Sequence, residues 1–524
     1  MSISQSNPIE TSKTPEGLRL AFVSLGCPKN LVDSEAMLGT LVEAGYHVVP
    51  ESEPHDAIVV NTCGFLEASK DESLSVIREA IDRKKDGELK RVVVAGCLVQ
   101  RHRAKMLDWA PGIDAMIGVF DRDHVIEAVS GIDEQAPDRP GLAETSDQPK
   151  YWIAGNALQA ARDRGLDTTE LTVHGKDGKG IGYFEGDGAR LRLTPRHWAY
   201  LRMSEGCNQR CAFCTIPSIR GKMRSKSMEN IISEAHALLA DGAFELNIIG
   251  QDTTNWGRDI GDDRGLVGLL TELNNTVAHH GNGWVRLMYA YPTNFTDEMI
   301  DAIASLDHIA KYIDIPLQHI SDNMLTKMRR GLLRKEQEDL MYRLRERIPG
   351  LAIRTTFITG FPGETEDDHR QLVDFVRDFQ FDMMGVFKYS HEDGTVAATM
   401  EKDPELCVPE EIKQQREEEL MLAQQEVAFE NAAYLAEEGA MFDVLVDERS
   451  HEREITEDDR TYNTYIGRCY HQAPEVDSIT LLASEAEIAP GELIRCRVVG
   501  SDGYDLIVRP DSELQRITSL PVIG

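Results

Sequence analysis

The sequence predicts an α/β protein in three parts: an N-terminal parallel α/β sheet domain, a central partial (β/α)6 barrel and a small C-terminal antiparallel β-barrel. Three observations predict this. Three strand-then-helix units open the chain, six more strands alternate with helices from Trp198 to Tyr389, and short strands separated by Gly, Pro and Asp fill Ala440 to Pro510. Strands alternating with helices make parallel sheets, whereas short strands joined by turn residues make antiparallel ones.

At 524 residues, 41% hydrophobic and 28% charged, the chain has material for several buried cores. It contains no run of about eighteen apolar residues. Its first 17 residues are polar, with Pro8 and Pro15, so we expect neither signal peptide nor membrane anchor, and a cytoplasmic protein. Nine cysteines in so long a chain, several at ligand-like positions, argue for metal binding in a reducing compartment rather than disulfides. The net charge of −33 argues against a protein that binds nucleic acid mainly by neutralising phosphates.

In the first part, Leu18 to Leu25 leads to Cys27, Ala57 to Thr62 leads to Cys63, and Arg91 to Gly96 leads to Cys97. Helical stretches follow at Asp33 to Ala44, Glu67 to Lys84 and Val99 to Trp109. All strand C-termini of a parallel sheet share one edge, which is where such sheets bind ligands. The three cysteines, 36 and 34 residues apart, are therefore expected to converge. One cysteine after a strand is ordinarily a small buried hydrophobe; three in the same topological position indicate a cluster with three protein ligands. Gly26, Gly64 and Gly96 leave room for backbone N–H groups beside the sulfurs.

In the central part the strands are Trp198–Met203, Glu245–Gly250, Trp284–Tyr289, Tyr312–Pro316, Ala352–Thr359 and Met384–Tyr389. The first runs into Cys207, Cys211 and Cys214, spaced C-x3-C-x2-C. Thiolates in a short loop suit zinc or an iron–sulfur cluster, and closed zinc sites want four ligands, usually as two separated pairs. No second pair is present, and the nearby His197 lies before the loop, where a lone histidine is ordinarily packed or solvated. Three cysteines hold three corners of a cluster and leave the fourth to something else. Barrel sites sit where strands end, which places polar groups such as Gln251, Gln318 and the Gly360–Glu364 turn at the same edge. Glu410 to Glu438 reads as one charged helix leading into the last part. Cys407, Cys469 and Cys496 match no ligand spacing and read as structural.

The C-x3-C-x2-C spacing with Phe213 before the third cysteine resembles the cluster loop of the radical S-adenosylmethionine (SAM) enzymes. Two cysteine triads in this order resemble the methylthiotransferase family within that superfamily. The strings Ser24-Leu25-Gly26-Cys27-Pro28-Lys29-Asn30-Leu31-Val32-Asp33-Ser34-Glu35, Ser204-Glu205-Gly206-Cys207-Asn208 and Ile216-Pro217-Ser218-Ile219-Arg220-Gly221 are similar to the branch that modifies ribosomal protein S12.

The resemblance covers most of residues 18 to 510. It implies two [4Fe–4S] clusters, on Cys27, Cys63 and Cys97 and on Cys207, Cys211 and Cys214, and two uses of SAM: methyl donor and source of a 5′-deoxyadenosyl radical. The product is an S12 aspartate methylthiolated at its β-carbon. Phe213, Gln251, Gln318 and Gly360 are the expected cofactor-binding residues, with no catalytic residue beyond the cluster ligands. A flavodoxin- or ferredoxin-like electron donor, a monomer, no membrane and no primary nucleic-acid substrate complete the expectation; the alternative is a tRNA adenosine methylthiotransferase with the same chemistry.

The expected divisions are a disordered N-terminus (1–17), an N-terminal methylthiotransferase domain with the auxiliary cluster (18–130), a Gly/Asp-rich insertion or linker (131–195), a radical SAM core (196–432), an OB-like TRAM domain (433–510) and a tail (511–524). The insertion is longer than the family's usual link. From 441 to 524 there are 17 Asp/Glu against 8 Lys/Arg. An acidic surface is a poor RNA clamp and suits a basic protein, with Asp443, Asp447, Glu448 and Asp505 as representative charges.

Overall fold

The computed structural model describes residues 18–130, 150–152, 187, 190–450, 455–457 and 460–518. The N-terminal 1–17, most of 131–195 and residues 519–524 of the tail lie outside the described residues. The chain divides into two compact units. One runs to Leu193 and takes in Ser218–Arg220; the other comprises Thr194–Pro217 and everything from Gly221.

The first unit is a six-stranded parallel sheet. Its strands are β1 (Arg19–Ser24), β2 (His47–Val48), β3 (Ala57–Thr62), β4 (Arg91–Gly96), β5 (Ala115–Ile117) and β6 (Lys150–Trp152), in the spatial order β2-β1-β3-β4-β5-β6. β3 is buried along its whole length and β4 all but its first residue, the continuous apolar pattern of strands covered on both faces. The helix Pro28–Glu43 opens with proline at its first position, where the missing N–H costs no hydrogen bond. The helix Glu67–Lys85 buries Ser73, Leu74, Ile77, Ala80 and Ile81 along one face and carries Arg83, Lys84 and Lys85 at its C-terminus, where cations suit the helix dipole. The single helix expected over Val99–Trp109 is instead three pieces, Cys97–His102, a 3-10 turn at Arg103–Lys105, and Met106–Trp109. Arg103 at φ 51° breaks the ladder. β6 falls within the stretch read as an insertion and pairs with β5.

In the second unit β7 (Trp198–Arg202) leads into a short hairpin, β8 (Ser204–Glu205) with β9 (Arg224–Ser225), whose loop carries the three cysteines. β10 (Glu245–Ile249), β11 (Trp284–Leu287), β12 (Ile309–Asp314), β13 (Ala352–Thr359) and β14 (Met383–Lys388) follow, all parallel, in the order β14-β13-β12-β11-β10-β7. β7 and β14 do not pair with each other, so the barrel is open. The helix Glu410–Glu437 adds Leu420 and Ala423 to the barrel's hydrophobic core.

The last part holds β15 (Met441–Arg449), β16 (Ile455–Glu457), β17 (Arg460–Arg468), β18 (Thr480–Ser484), β19 (Leu493–Asp502) and β20 (Asp505–Pro510). β15 pairs with both β19 and β17, closing a five-stranded barrel in which only β18 and β20 run parallel. The buried Cys469 and Cys496 belong to its core, and Cys407 is exposed.

The loop between β17 and β18 meets side chains from four barrel strands. Tyr200 Oη donates to Glu475 (3.2 Å), Arg286 to the Tyr470 carbonyl (2.6 Å), Tyr312 Oη to Asp477 (2.7 Å) and Arg354 Nε to Asp477 (3.1 Å). The small barrel is therefore built into the large one through partly buried polar contacts. No helix among the described residues is long and apolar enough to cross a membrane.

Candidate functional site

Cys27, Cys63 and Cys97 follow β1, β3 and β4, which are neighbours in the sheet and in register at Ser24–Asn61 and Thr62–Gly96. Gly26 has φ +93°, and a Cβ there would lie 2.7 Å from Cys63 Cβ, so only glycine lets the first cysteine loop approach the second. A Cβ at Gly64 would likewise lie 3.0 Å from the Cys97 carbonyl carbon. The three cysteines thus follow the ends of three adjacent strands. Cys27 also occupies the residue before the helix Pro28–Glu43, without a side-chain capping bond.

Burial raises the Cys63 thiol, with the charge of Cys27 adding to it, and pushes Cys97 up to about 12 against the opposing Arg220 guanidinium, which hydrogen-bonds it. Arg220 is 1% exposed and pairs with Asp33 at 3.1 Å; Arg122 holds the other Asp33 oxygen at 3.0 Å. Asn61 donates to the Asn30 carbonyl (2.9 Å) and Ser34 (2.8 Å), and Asn30 to the Leu25 carbonyl (2.6 Å). Glu35 pairs with Arg190 and accepts from Leu193 N (2.8 Å). The polar string after Cys27 thus forms a buried scaffold behind the thiols.

In the second unit the loop of Cys207, Cys211 and Cys214 is pinned at its mouth, where Cys207 N donates to the Gly221 carbonyl at 3.1 Å. Gly206, at φ +75°, leaves no room for a Cβ beside the Lys222 carbonyl. Gln209 N donates to Cys207 Sγ (3.4 Å), Arg330 to Cys211 Sγ (3.4 Å), and Tyr291 Oη stands 4.0 Å from Cys211 Sγ. Burial pushes Cys207 up to about 11 and Cys214 up to about 12. Asp252, buried nearby, is already bound to Gln209, Thr254 and Asn255.

The donor chemistry of these cysteines is that of iron–sulfur ligands. Among the described residues no three His, Cys, Asp or Glu side chains close on one point as the ligands of a single ion do. At Cys27, Cys63 and Cys97, which follow neighbouring strands about 4.8 Å apart, that spacing suits thiolates at the corners of a multi-iron cluster better than the short ligand radius of one zinc ion. A bound cluster would take the thiols as thiolates, and N–H donors beside the sulfurs, such as Gln209 N at Cys207 Sγ, would supply the outer contacts such clusters use.

The expected cofactor residues have different surroundings. Phe213 packs half-buried against Ala212, Met324, Met328, Phe361 and Tyr389. Gln251 donates to Glu205 at 2.6 Å, and its buried Oε1 has no partner. Gln318, at φ 75°, is bonded through its backbone to Thr356 and Ile358 of β13. Gly360 is covered by the Lys413 side chain. Beside it Glu364 is held by His319 (3.2 Å) and Arg416 (2.9 Å), all three buried. Arg330 and Arg220, which touch cysteines in the two units, were not singled out by sequence reasoning. The signal available for Arg220 was its place in the Ile216–Gly221 string; for Arg330 there was none.

Three family models match, one on each part of the fold: the uncharacterized protein family UPF0004 over residues 19–118, the Radical SAM superfamily over 201–376 and the TRAM domain over 439–510. The ribosomal protein uS12 methylthiotransferase RimO of Geobacter sulfurreducens is 37% identical over 93% of this chain and 98% of its own; that of Anaeromyxobacter sp. (strain K) is 39% identical over 94% and 93%. Among solved structures, the radical SAM methyltransferase TsrM from Kitasatospora setae is similar over 73% of this chain and 74% of its own, at 16% identity and TM-score 0.46.

Fold and site together define a radical SAM methylthiotransferase, an enzyme that works with an iron–sulfur cluster and SAM. Within that class the chain belongs to the ribosomal protein uS12 methylthiotransferase RimO family.

Proposed function

We propose that the protein methylthiolates the β-carbon of an aspartate of ribosomal protein S12, using two [4Fe–4S] clusters and two molecules of SAM. The observation that carries this reading is the pair of cysteine triads, each at strand C-termini and each supplying three thiols. When bound, the clusters and SAM supply the methylthio group and the 5′-deoxyadenosyl radical that removes a hydrogen atom from carbon; acid–base chemistry cannot reach an unactivated C–H bond.

The protein's residues hold and orient. Cys27, Cys63 and Cys97 would hold one cluster and Cys207, Cys211 and Cys214 the other, each set supplying three of its ligands. Phe213, Gln251, Gln318 and Gly360 are assigned to binding SAM. Gln251 keeps a buried, unpartnered Oε1, an acceptor suited to the cofactor's ammonium group. The acidic final barrel supports a basic protein partner over tRNA. The remaining assignments are a monomeric, cytoplasmic enzyme supplied by a flavodoxin- or ferredoxin-like donor, with no nucleic-acid substrate.

Mass spectrometry of S12 from cells with and without this gene tests the reading. The methylthio group should be present in the first and missing in the second; S12 of identical mass in both rejects it.

A further inference from the structure

The helix Asp322–Lys327 ends in a turn that fixes the residues after it. Arg329 adopts φ +58°, Arg329 N donates to the Thr326 carbonyl (3.1 Å) and Arg330 N to the Leu325 carbonyl (2.9 Å). This is the Schellman pattern of a helix C-terminus. The same turn holds the cysteine loop, because Ala212 N donates to the Met328 carbonyl at 2.9 Å.

From that turn the half-buried Arg330 side chain is fixed on three sides. One terminal nitrogen donates to the Pro316 carbonyl at 2.6 Å, the other to Cys211 Sγ at 3.4 Å, and the guanidinium lies 4.3 Å from the centroid of the Tyr291 ring. It forms no ion pair with a carboxylate among the described residues. The half-buried guanidinium is thus held by a carbonyl, an aromatic face and the Cys211 sulfur.

We infer that Arg330 is a positioning residue that sets the reduction potential of the cluster on Cys207, Cys211 and Cys214 through its hydrogen bond and charge at the Cys211 sulfur. This rests on the reading that this triad holds a cluster. One-electron reduction adds a negative charge to the cluster and its thiolates. A fixed cation and an N–H donor at one sulfur stabilise the reduced form more than the oxidised one and raise the potential. Lysine in its place keeps the charge but loses the planar fork that reaches the carbonyl and the sulfur at once.

The test is an EPR-monitored redox titration of the anaerobically reconstituted, SAM-free protein as wild type, Arg330→Gln and Arg330→Lys, with iron content measured for each. Two cluster potentials are expected in the wild type. In Arg330→Gln one falls, so that at a fixed potential its reduced-to-oxidised ratio drops tenfold or more, equivalent to 59 mV for one electron; the other stays. Arg330→Lys lies between. If both variants load iron fully and neither potential moves, the inference is overturned. It is also overturned if SAM affinity falls while the SAM-free potential is unchanged, because Arg330 would then be a cofactor anchor. Should Arg330→Gln fail to load, Arg330→Lys decides alone, and an unshifted potential there rejects the role. A wild type without a cluster on this triad contradicts the functional reading instead, and is visible separately in the iron analysis.

Discussion

Glu245 and Arg468 form an ion pair of 2.5 Å in which neither side chain is more than 4% exposed, joining the start of β10 to the end of β17. Arg286 holds Glu245 from the other side at 2.8 Å, and Arg468 also pairs with Asp447 (2.8 Å), which accepts a bond from His197 (2.7 Å). Charges this buried are stable only as a set, and removing one partner leaves the others uncompensated at a cost of about 3–5 kcal/mol. Glu245→Gln should therefore lower the unfolding free energy by about that amount, read as a shifted denaturation midpoint at unchanged m.

The network also gives the acid limb of stability its sign. Burial raises the Glu245 and Asp447 carboxyls, but Arg468 with Arg286 at the first, and His197 with Arg468 at the second, outweigh it and hold both below their ordinary values. A depressed folded pKa contributes stability above the unfolded value and loses it as pH falls through the folded one. Denaturant midpoints measured downward from pH 7 should fall steeply below about pH 4, and less steeply in Glu245→Gln.

Asp477 behaves oppositely. Burial raises its carboxyl, and Arg354 only partly offsets this. A raised carboxyl pKa costs stability as pH rises through it, so removing that charge is partly offset at neutral pH. Asparagine can still accept from Tyr312. Its NH2 then faces the Arg354 donor, so Asp477→Asn should cost about 1–3 kcal/mol at pH 7, less than Glu245→Gln in the same denaturation series.

The two triads should separate chemically. The reconstituted protein should carry about eight irons. Replacing Cys207, Cys211 and Cys214 by Ala should halve the iron and abolish 5′-deoxyadenosine. Replacing Cys27, Cys63 and Cys97 should halve it too, yet leave SAM cleavage measurable while ending methylthio transfer. Equal loss of cleavage in both variants would defeat this division of labour.

The acidic final barrel should steer a basic partner, but not through all the carboxylates picked from the sequence. Asp447 is tied into the buried network and Asp505 accepts from Ile479 N at 3.0 Å, so reversing either tests folding rather than recognition. Asp443, Glu448, Glu487 and Asp502 are exposed. Reversing these four to Lys should slow association with S12 and flatten its salt dependence as the Debye length falls below about 10 Å. Overlapping salt slopes for native and reversed proteins would remove the barrel's acidity from recognition.

Strands whose apolar runs end in turn residues were legible to the residue: β3, β4 and β13 begin and end where the sequence places them. The place of Cys27, Cys63 and Cys97 at one sheet edge followed from parallel topology alone. β2 has two residues, β6 lies in a Gly/Asp-rich stretch, and β18, Thr-Leu-Leu-Ala-Ser, is buried throughout and so shows no alternation; each escaped a pattern that needs length or period. The buried partners were harder still. Arg330 meets Cys211 across 119 residues through a helix-end turn, and Arg468 meets Glu245 across 223, contacts that no local pattern encodes.

The most direct test of the central claim is mass spectrometry of S12 after anaerobic incubation with the reconstituted protein, SAM and a one-electron reductant, with tRNA present in the same reaction. The expected result is one methylthio group on an S12 aspartate, formed together with S-adenosylhomocysteine and 5′-deoxyadenosine, and unmodified tRNA. Unchanged S12 beside a methylthiolated tRNA adenosine would contradict it.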